Sequence, residues 1–250
     1  MELPNGKTFT HISASETEFL YQEIFAQRCY LQHGVELRPG DVVFDVGANI
    51  GMFTLFAHLE CPVTVHAFEP APVPYAALRA NAERHGVAGR FDQCAVSDVA
   101  GVRQLTFFPD ATLLSTFHPK AADRAELRSL GLNQGFSAEE VDAMLDQTPQ
   151  TELIDTPVVR LSDVIAERGI AAIGLLKIDV EQNEQQVLAG IDEADWPRIR
   201  QVVVEVHDID GALDQVLTLL RGKGFTVFAE QESLFAGTGL YQVAALREDG

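Results

Sequence analysis

Short apolar runs rich in Val, Ile and Phe alternate along this chain with longer stretches whose apolar positions recur at helical spacing. Residues 42–46, 63–68, 89–96, 173–179 and 201–207 read as strands. The stretches at about 51–59, 73–85, 163–168, 183–189 and 213–221 read as helices. Strand and helix in alternation predict an α/β fold, with a mostly parallel sheet and helices on both faces. The run 173–179 is mostly apolar, as a strand covered on both faces must be. The last two runs, 225–228 and 240–246, have no helix between them, and a direct connection suits an antiparallel pair. The expected sheet has seven strands, the last of them antiparallel.

Two segments depart from this rhythm. Residues 14–25 read as a leading helix that Ser13 or Ser15 can cap, within an expected N-terminal helical cap over 13–34. Residues 102–108 read as an edge strand or hairpin arm. From 109 to 157 the pattern changes to two helices, at about 121–130 and 137–147, the second opened by the capping box Ser137-Ala-Glu-Glu140. An insertion of this size within a single domain spanning 1–250 is expected to be a lid or a packing extension.

The strand at 42–46 breaks into the turn Asp45-Val-Gly47-Ala-Asn49-Ile-Gly51. Such a turn lets a ligand approach the backbone, and the helix after it aims free N–H groups at the same place. A dinucleotide fingerprint needs glycine at offsets 0, 2 and 5, which neither Asp45 nor Gly47 as a start supplies. No Gly-Lys-Ser/Thr follows, so a phosphate-binding loop fails as well. The acid at the head of the turn suits a cationic or hydroxyl-rich ligand. The second strand ends at Glu69-Pro70, 24 residues beyond Asp45, where an acid can accept both hydroxyls of a ribose.

Composition narrows the function classes. The formal net charge of −19 argues against nucleic acid and against anionic membranes, both of which need a basic face. No apolar run approaches the roughly 18 residues of a membrane span, and the N-terminus has no apolar signal core. Cys29, Cys61 and Cys94 are few and odd in number, which fits a reducing, cytoplasmic setting with all three as small buried hydrophobes.

Taken together and in order, Phe44-Asp-Val-Gly-Ala-Asn-Ile-Gly51, Ala67-Phe-Glu-Pro70 and Leu176-Lys-Ile-Asp-Val-Glu181 resemble the class I S-adenosylmethionine-dependent methyltransferases, and more narrowly their FkbM type. The resemblance runs over about 5–245. It implies a Rossmann-like class I methyltransferase fold, S-adenosylmethionine as donor and S-adenosylhomocysteine as product. It further implies O-methylation of a hydroxyl on a natural-product intermediate, such as a polyketide, nonribosomal peptide or sugar. N- or C-methylation and a non-catalytic scaffold are the alternatives, and a nucleotide-dependent oxidoreductase is disfavoured by the glycine spacing. The opening Leu3-Pro-Asn-Gly6 and Glu16-Thr-Glu-Phe-Leu-Tyr21 look like domains within or beside assembly lines, so the acceptor is either a free small molecule or one tethered to an acyl or peptidyl carrier protein. The insertion is then expected to cap the acceptor. A docking patch of Arg103, Lys120, Arg124 and Arg128 is weighed against ordinary scattered surface charge.

Ligands of open α/β sheets gather beyond the carboxyl ends of the strands, which selects Asp45, Glu69, Asp179, Glu181, Glu205 and His207. Under the resemblance, Asp45 reaches the donor's ammonium directly or through water, and Gly47, Asn49 and Gly51 form the turn around its methionine part and ribose. Glu69 holds the ribose hydroxyls. The window Cys94–Asp98, with Ala95 as its named candidate, meets the adenine. Tyr21, on the leading helix, either touches the cofactor or packs on the core. Asp179 faces the methionine end or the acceptor, or else caps the next helix. His207 and Glu181 are the main candidates for general base, with Glu205 on the same strand face as His207. Lys177 shares Asp179's face and is placed to pair with it. Gln182 stands where the family usually has glycine, in a turn where Gln tolerates positive φ poorly. No ligand spacing demands a metal and methyl transfer does not require one, so none is expected.

Overall fold

The computed structural model describes residues 1–118, 124–133, 137–146, 150–231 and 235–247. In chain order its strands are β1 (Val42–Val46), β2 (Thr64–Phe68), β3 (Gly89–Asp92), β4 (Ala95–Val96), β5 (Gly101–Phe107), β6 (Glu152–Val159), β7 (Leu175–Ile178), β8 (Gln201–His207), β9 (Thr226–Glu230) and β10 (Leu240–Leu246). The helices are α1 (Ala14–Tyr21), α2 (Met52–Glu60), α3 (Pro72–His85), α4 (Arg124–Asn133), α5 (Ala138–Leu145), α6 (Leu161–Arg168), α7 (Glu184–Ala189) and α8 (Ala212–Gly222). Seven strands form the main sheet in the order β3-β2-β1-β7-β8-β10-β9. All neighbours from β3 to β8 are parallel, and β10 runs antiparallel to both β8 and β9. This is the mostly parallel sheet with a reversed last strand that the patterning predicts.

Three expectations change. The run 89–96 is not one strand: β3 ends at Asp92, and β4 leaves to pair with β6 in a separate sheet of order β4-β6-β5. The segment 109–157 is not wholly helical either, because β6 returns from it and pairs antiparallel along β5. The leading helix also changes pitch. It is α-helical through Tyr21, makes a π-helical turn over Gln22–Gln27, and ends where Arg28 takes φ 57°. Ser13 caps its start, accepting from the Glu16 N–H at 3.4 Å.

The sheet sorts its residues by parity. Phe44, Val46, Leu176, Ile178, Val202 and Val204 join α6, α7 and α8 in one core. Val43, Leu175 and Val203 join α1, α2 and α3 in the other. Alternate residues of a strand point to opposite faces, so Asp45, Lys177 and Glu205 lie on the face covered by α1 and α2. Register confirms the alignment: Asp45 pairs with Lys177, and Lys177 with Val203. Cys29 and Cys94 are buried as expected, whereas Cys61 is half-exposed. Among the described residues no helix is long and apolar enough to cross a membrane.

Candidate active site

Parity, carried to the carboxyl ends of β1, β7 and β8, gathers the charged residues on one side. Lys177, 2% exposed, lies 3.1 Å from Asp45 Oδ1, and donates to the Gly47 carbonyl at 2.8 Å. Its ammonium is 3.5 Å from Asp179 Oδ2, which also accepts from the Tyr30 hydroxyl at 2.8 Å. Burial pushes the Lys177 pKa down, but Asp45 and Asp179 outweigh it and hold the group raised. Asp45 is wholly buried, its Oδ2 accepting from Thr54 Oγ1 at 2.6 Å. The expectation that Asp45 reaches a ligand is therefore corrected: its carboxylate is consumed inside the fold by Lys177 and Thr54.

The glycines serve packing more than access. A Cβ on Gly47 would fall 1.7 Å from the Asp179 carbonyl oxygen, and one on Gly51 would fall 2.7 Å from Leu78 Cδ1. Both positions have positive φ, at 77° and 85°. Gly51 thus faces α3 and not the ligand side, which corrects its assignment. Asn49 has left-handed φ of 46° and presents its N–H to Glu69 Oε2 at 2.8 Å. Glu69 Oε1 accepts from the Ala71 N–H, also at 2.8 Å. Burial pushes the Glu69 carboxyl up to about 7, against the pull of those two amides.

Beside these residues lies a cleft enclosing about 670 Å³, part of it open to solvent. Phe68, Ala95, Val96 and Leu105 form an apolar wall, and Gly47, Asn49, Glu69, Asp179 and Glu181 supply polar edges. The roof is Thr112–Phe117, a stretch without periodicity that the sequence did not single out. Thr112 Oγ1 accepts from Asn49 Nδ2 at 3.2 Å and donates to Glu16 Oε2 at 3.0 Å. Thr116 Oγ1 donates to the Glu181 carbonyl at 2.7 Å. Tyr30 and Glu16 were likewise missed, because helix-facing contacts over such sequence distances leave no local signal. Tyr21 stacks on Phe25 at 4.9 Å and lines no part of the cleft, so it is a packing residue.

His207 sits between two carboxylates, its Nε2 3.0 Å from Glu181 and its Nδ1 2.7 Å from Glu184. Burial pushes the imidazole down, but Glu181 and then Glu184 outweigh it and raise its pKa well above 6.5. Both ring nitrogens are engaged by carboxylates and the ring stands off the cleft wall, so the expectation of a free general base is corrected. Glu205 is nearby and also off that wall. Burial raises its carboxyl well above 4.5, with Asp179 and Glu23 adding repulsion. Gln182 takes the glycine-like φ of 65°, and its N–H is held by Glu184 Oε1 at 3.1 Å. Of the suggested basic patch, Arg103 donates to Ser97 and lies over Phe117, and Arg128 pairs with Asp142 at 2.8 Å. These two are already partnered. Lys120 lies outside the described residues, as does the side chain of Arg124.

Residues 45–227 match the FkbM methyltransferase domain. The chain is 74% identical, over all of its length and 97% of the relative's, to the 31-O-demethyl-FK506 methyltransferase FkbM of Streptomyces tacrolimicus. It is 36% identical over 99% of its length to a segment making up 12% of the AMB antimetabolite synthetase AmbE of Pseudomonas aeruginosa. The crystal structure of an FkbM methyltransferase from Methylobacillus flagellatus superposes with a TM-score of 0.52 at 12% identity, covering 86% of this chain and 46% of that one, and supports the fold. The chain belongs to the FkbM family of S-adenosylmethionine-dependent methyltransferases.

Proposed function

We propose that this enzyme moves the methyl group of S-adenosylmethionine to a hydroxyl oxygen of a free FK506-type polyketide, at the position corresponding to the 31-oxygen. The observation that carries the reading is the 74% identity maintained from end to end with a relative of that activity and nearly equal length.

The cleft fits the donor. Glu69 keeps lone pairs beyond those used by Asn49 and Ala71, for a pair of ribose hydroxyls. Ala95, Val96 and Phe68 offer the apolar surface a purine needs. Asp179, held by Tyr30 and Lys177, is the carboxylate for an ammonium. Asp45 contributes indirectly, by keeping Lys177 charged beside Asp179 and the Gly47 carbonyl. When bound, the donor supplies an electrophilic methyl group on a sulfonium, so the protein has chiefly to align the acceptor and exclude water. Asp179 and Glu181 are the acids at the end of β7 that line the cleft, and the acceptor approaches from the Glu181 side. The hydroxyl proton leaves toward this acidic edge as the C–O bond forms and the C–S bond breaks.

We read α4 and α5, joined by Arg128 and Asp142, as the cap over the acceptor. The three free cysteines suit a cytoplasmic enzyme. The second reading, an acceptor tethered to a carrier protein, is favoured by the match within the AmbE synthetase. Incubation of the purified enzyme with S-adenosylmethionine and free 31-O-demethyl-FK506 decides between them. Mass spectrometry should find the acceptor heavier by one methyl group. Failure on the free acceptor, with methylation of a carrier-bound one, would establish the second reading.

A further inference from the structure

Behind the cleft edge that Glu181 lines, Glu181, Glu205 and His207 bring one potential donor atom each close together. One carboxylate oxygen from each acid and one imidazole nitrogen all lie within 4.8 Å of one another. The three come from two strand ends that the sheet holds side by side: Glu181 follows β7, and Glu205 and His207 stand two apart on one face of β8. We propose that this trio is a divalent-metal site, and that its ion takes the acceptor oxygen as a further ligand.

Three features besides proximity point to an ion. A ligating histidine characteristically donates its other ring N–H to a carboxylate, which fixes the ring and its tautomer. His207 does so, with Nδ1 2.7 Å from Glu184, a side chain 3% exposed that lies behind the ring. Glu205 has no hydrogen bond or ion pair to any described residue, although Asp179, Glu181 and Glu23 crowd it with like charge. A carboxylate so placed is costly without a counter-charge. Of the nearby cations, Lys177 serves Asp45, Asp179 and Gly47, and His207 offsets Glu205 only through space while its two ring nitrogens face Glu181 and Glu184. Two carboxylates and a neutral imidazole balance a 2+ ion. Mixed oxygen and nitrogen donors favour Mn²⁺, Fe²⁺ or Zn²⁺ over the all-oxygen preference of Mg²⁺ and Ca²⁺.

Glu181 also lines the cleft, so the ion would sit where the acceptor enters. The inference rests on the O-methylation reading for its purpose, though not for its existence. Coordination lowers the pKa of a bound hydroxyl. The acceptor's O–H bond would break with its proton passing along the acidic edge to water, the oxygen would form the new C–O bond, and the C–S bond would break to leave the neutral thioether. Binding of the ion displaces the proton from His207 Nε2 to the buffer.

The test is a titration of chelator-treated enzyme with MnCl2, read by the loss of the free-ion electron paramagnetic resonance signal, with no acceptor present. Wild type should take up about one equivalent, and Glu205→Gln and His207→Gln should each weaken uptake by at least about tenfold. S-adenosylhomocysteine binding by each variant reports whether it is folded; if either fails, Glu205→Asp serves as the milder change and should weaken uptake in the same direction. Methyl transfer should stop in chelator and return with Mn²⁺ or Zn²⁺. Absence of Mn²⁺ uptake by folded wild type, or full transfer in chelator, would overturn the site. Metal uptake without transfer to any hydroxyl acceptor would leave the site standing and sink the O-methylation reading instead.

Discussion

Tyr30 donates its hydroxyl hydrogen to Asp179 Oδ2 at 2.8 Å, joining residues 149 positions apart in the chain. Burial and the neighbouring carboxylates raise the Tyr30 pKa well above 10, so the phenol remains a donor throughout the working pH range. The contact ties the N-terminal cap to the end of β7. Together with Lys177, 3.5 Å from the same oxygen, it holds Asp179 at the edge of the cleft. Hydrogen bonds to charged groups contribute about 1.5–3 kcal/mol, and Asp179 is partly exposed, which places the effect at the lower end. Tyr30→Phe should therefore cost about 1.5 kcal/mol in guanidinium unfolding. It should also weaken S-adenosylhomocysteine binding severalfold by calorimetry. Unchanged affinity in a destabilised variant would confine Tyr30 to a structural role.

Lys177 and Asp45 form a pair with almost no solvent contact, at 2% and 0% exposure. Removing one partner of such a pair strands the other charge and costs about 3–5 kcal/mol, whereas removing both is far milder. Lys177→Met should fall in that range, and adding Asp45→Asn should recover most of the loss. A double-mutant cycle by chemical denaturation measures the coupling. If the two losses simply add, the 3.1 Å contact carries no net interaction.

The sheet was legible because strand and helix periods differ, and because an apolar β7 has to be covered on both sides. The end-of-strand rule likewise located Glu69, Asp179 and Glu181, all of which reach the cleft. What parity adds, and a local reading lacks, is the identity of the neighbour: Asp45 looked like a ligand group until Lys177, in register with it, took its charge. His207 looked like a base until Glu181 and Glu184 closed on its two nitrogens. Glu184 sits 23 residues from it, on the helix after β7. Glycine was read as space for a ligand, yet at Gly47 the missing Cβ makes room for the Asp179 carbonyl. Gln182 shows the converse, since it holds φ 65° without being glycine, its own N–H donating to Glu184 Oε1. The roof over the cleft had no periodicity to betray it.

That roof is held by Thr112, which links Asn49 of the glycine turn to Glu16 of α1. Glu16 has its carboxyl raised by burial, and the Thr112 hydroxyl is among the donors that oppose the rise. Thr112→Val keeps the volume and removes both bonds, leaving Asn49 and Glu16 short of a partner in a partly buried place. A neutral bond lost this way costs about 1 kcal/mol, or roughly fivefold in affinity if it falls on the closed, ligand-bound form. We expect a higher KM for S-adenosylmethionine with kcat nearly unchanged. An equal fall in kcat at constant KM would mean that Thr112 acts on the transfer step and not on closure of the roof.

Glu69 links cofactor binding to pH. Its folded carboxyl is raised by burial from 4.5 to about 7, so between those values the ligand-free protein keeps a proton that the unfolded chain has lost. The stabilisation is complete below the lower value and is lost as pH rises through the upper one, so the ligand-free enzyme should become less stable across that window. Ribose hydroxyls donate to the ionised carboxylate, so the ligand selects the form that is scarce in acid. Apparent affinity scales with the competent fraction, which grows about tenfold from about pH 6 to about pH 8. S-adenosylhomocysteine should therefore bind about tenfold more tightly at the higher pH by calorimetry. Glu69→Gln should bind more weakly and lose that slope. A slope that survives in Glu69→Gln belongs to another group, and a flat wild-type profile would mean that Glu69 is already ionised in the ligand-free fold.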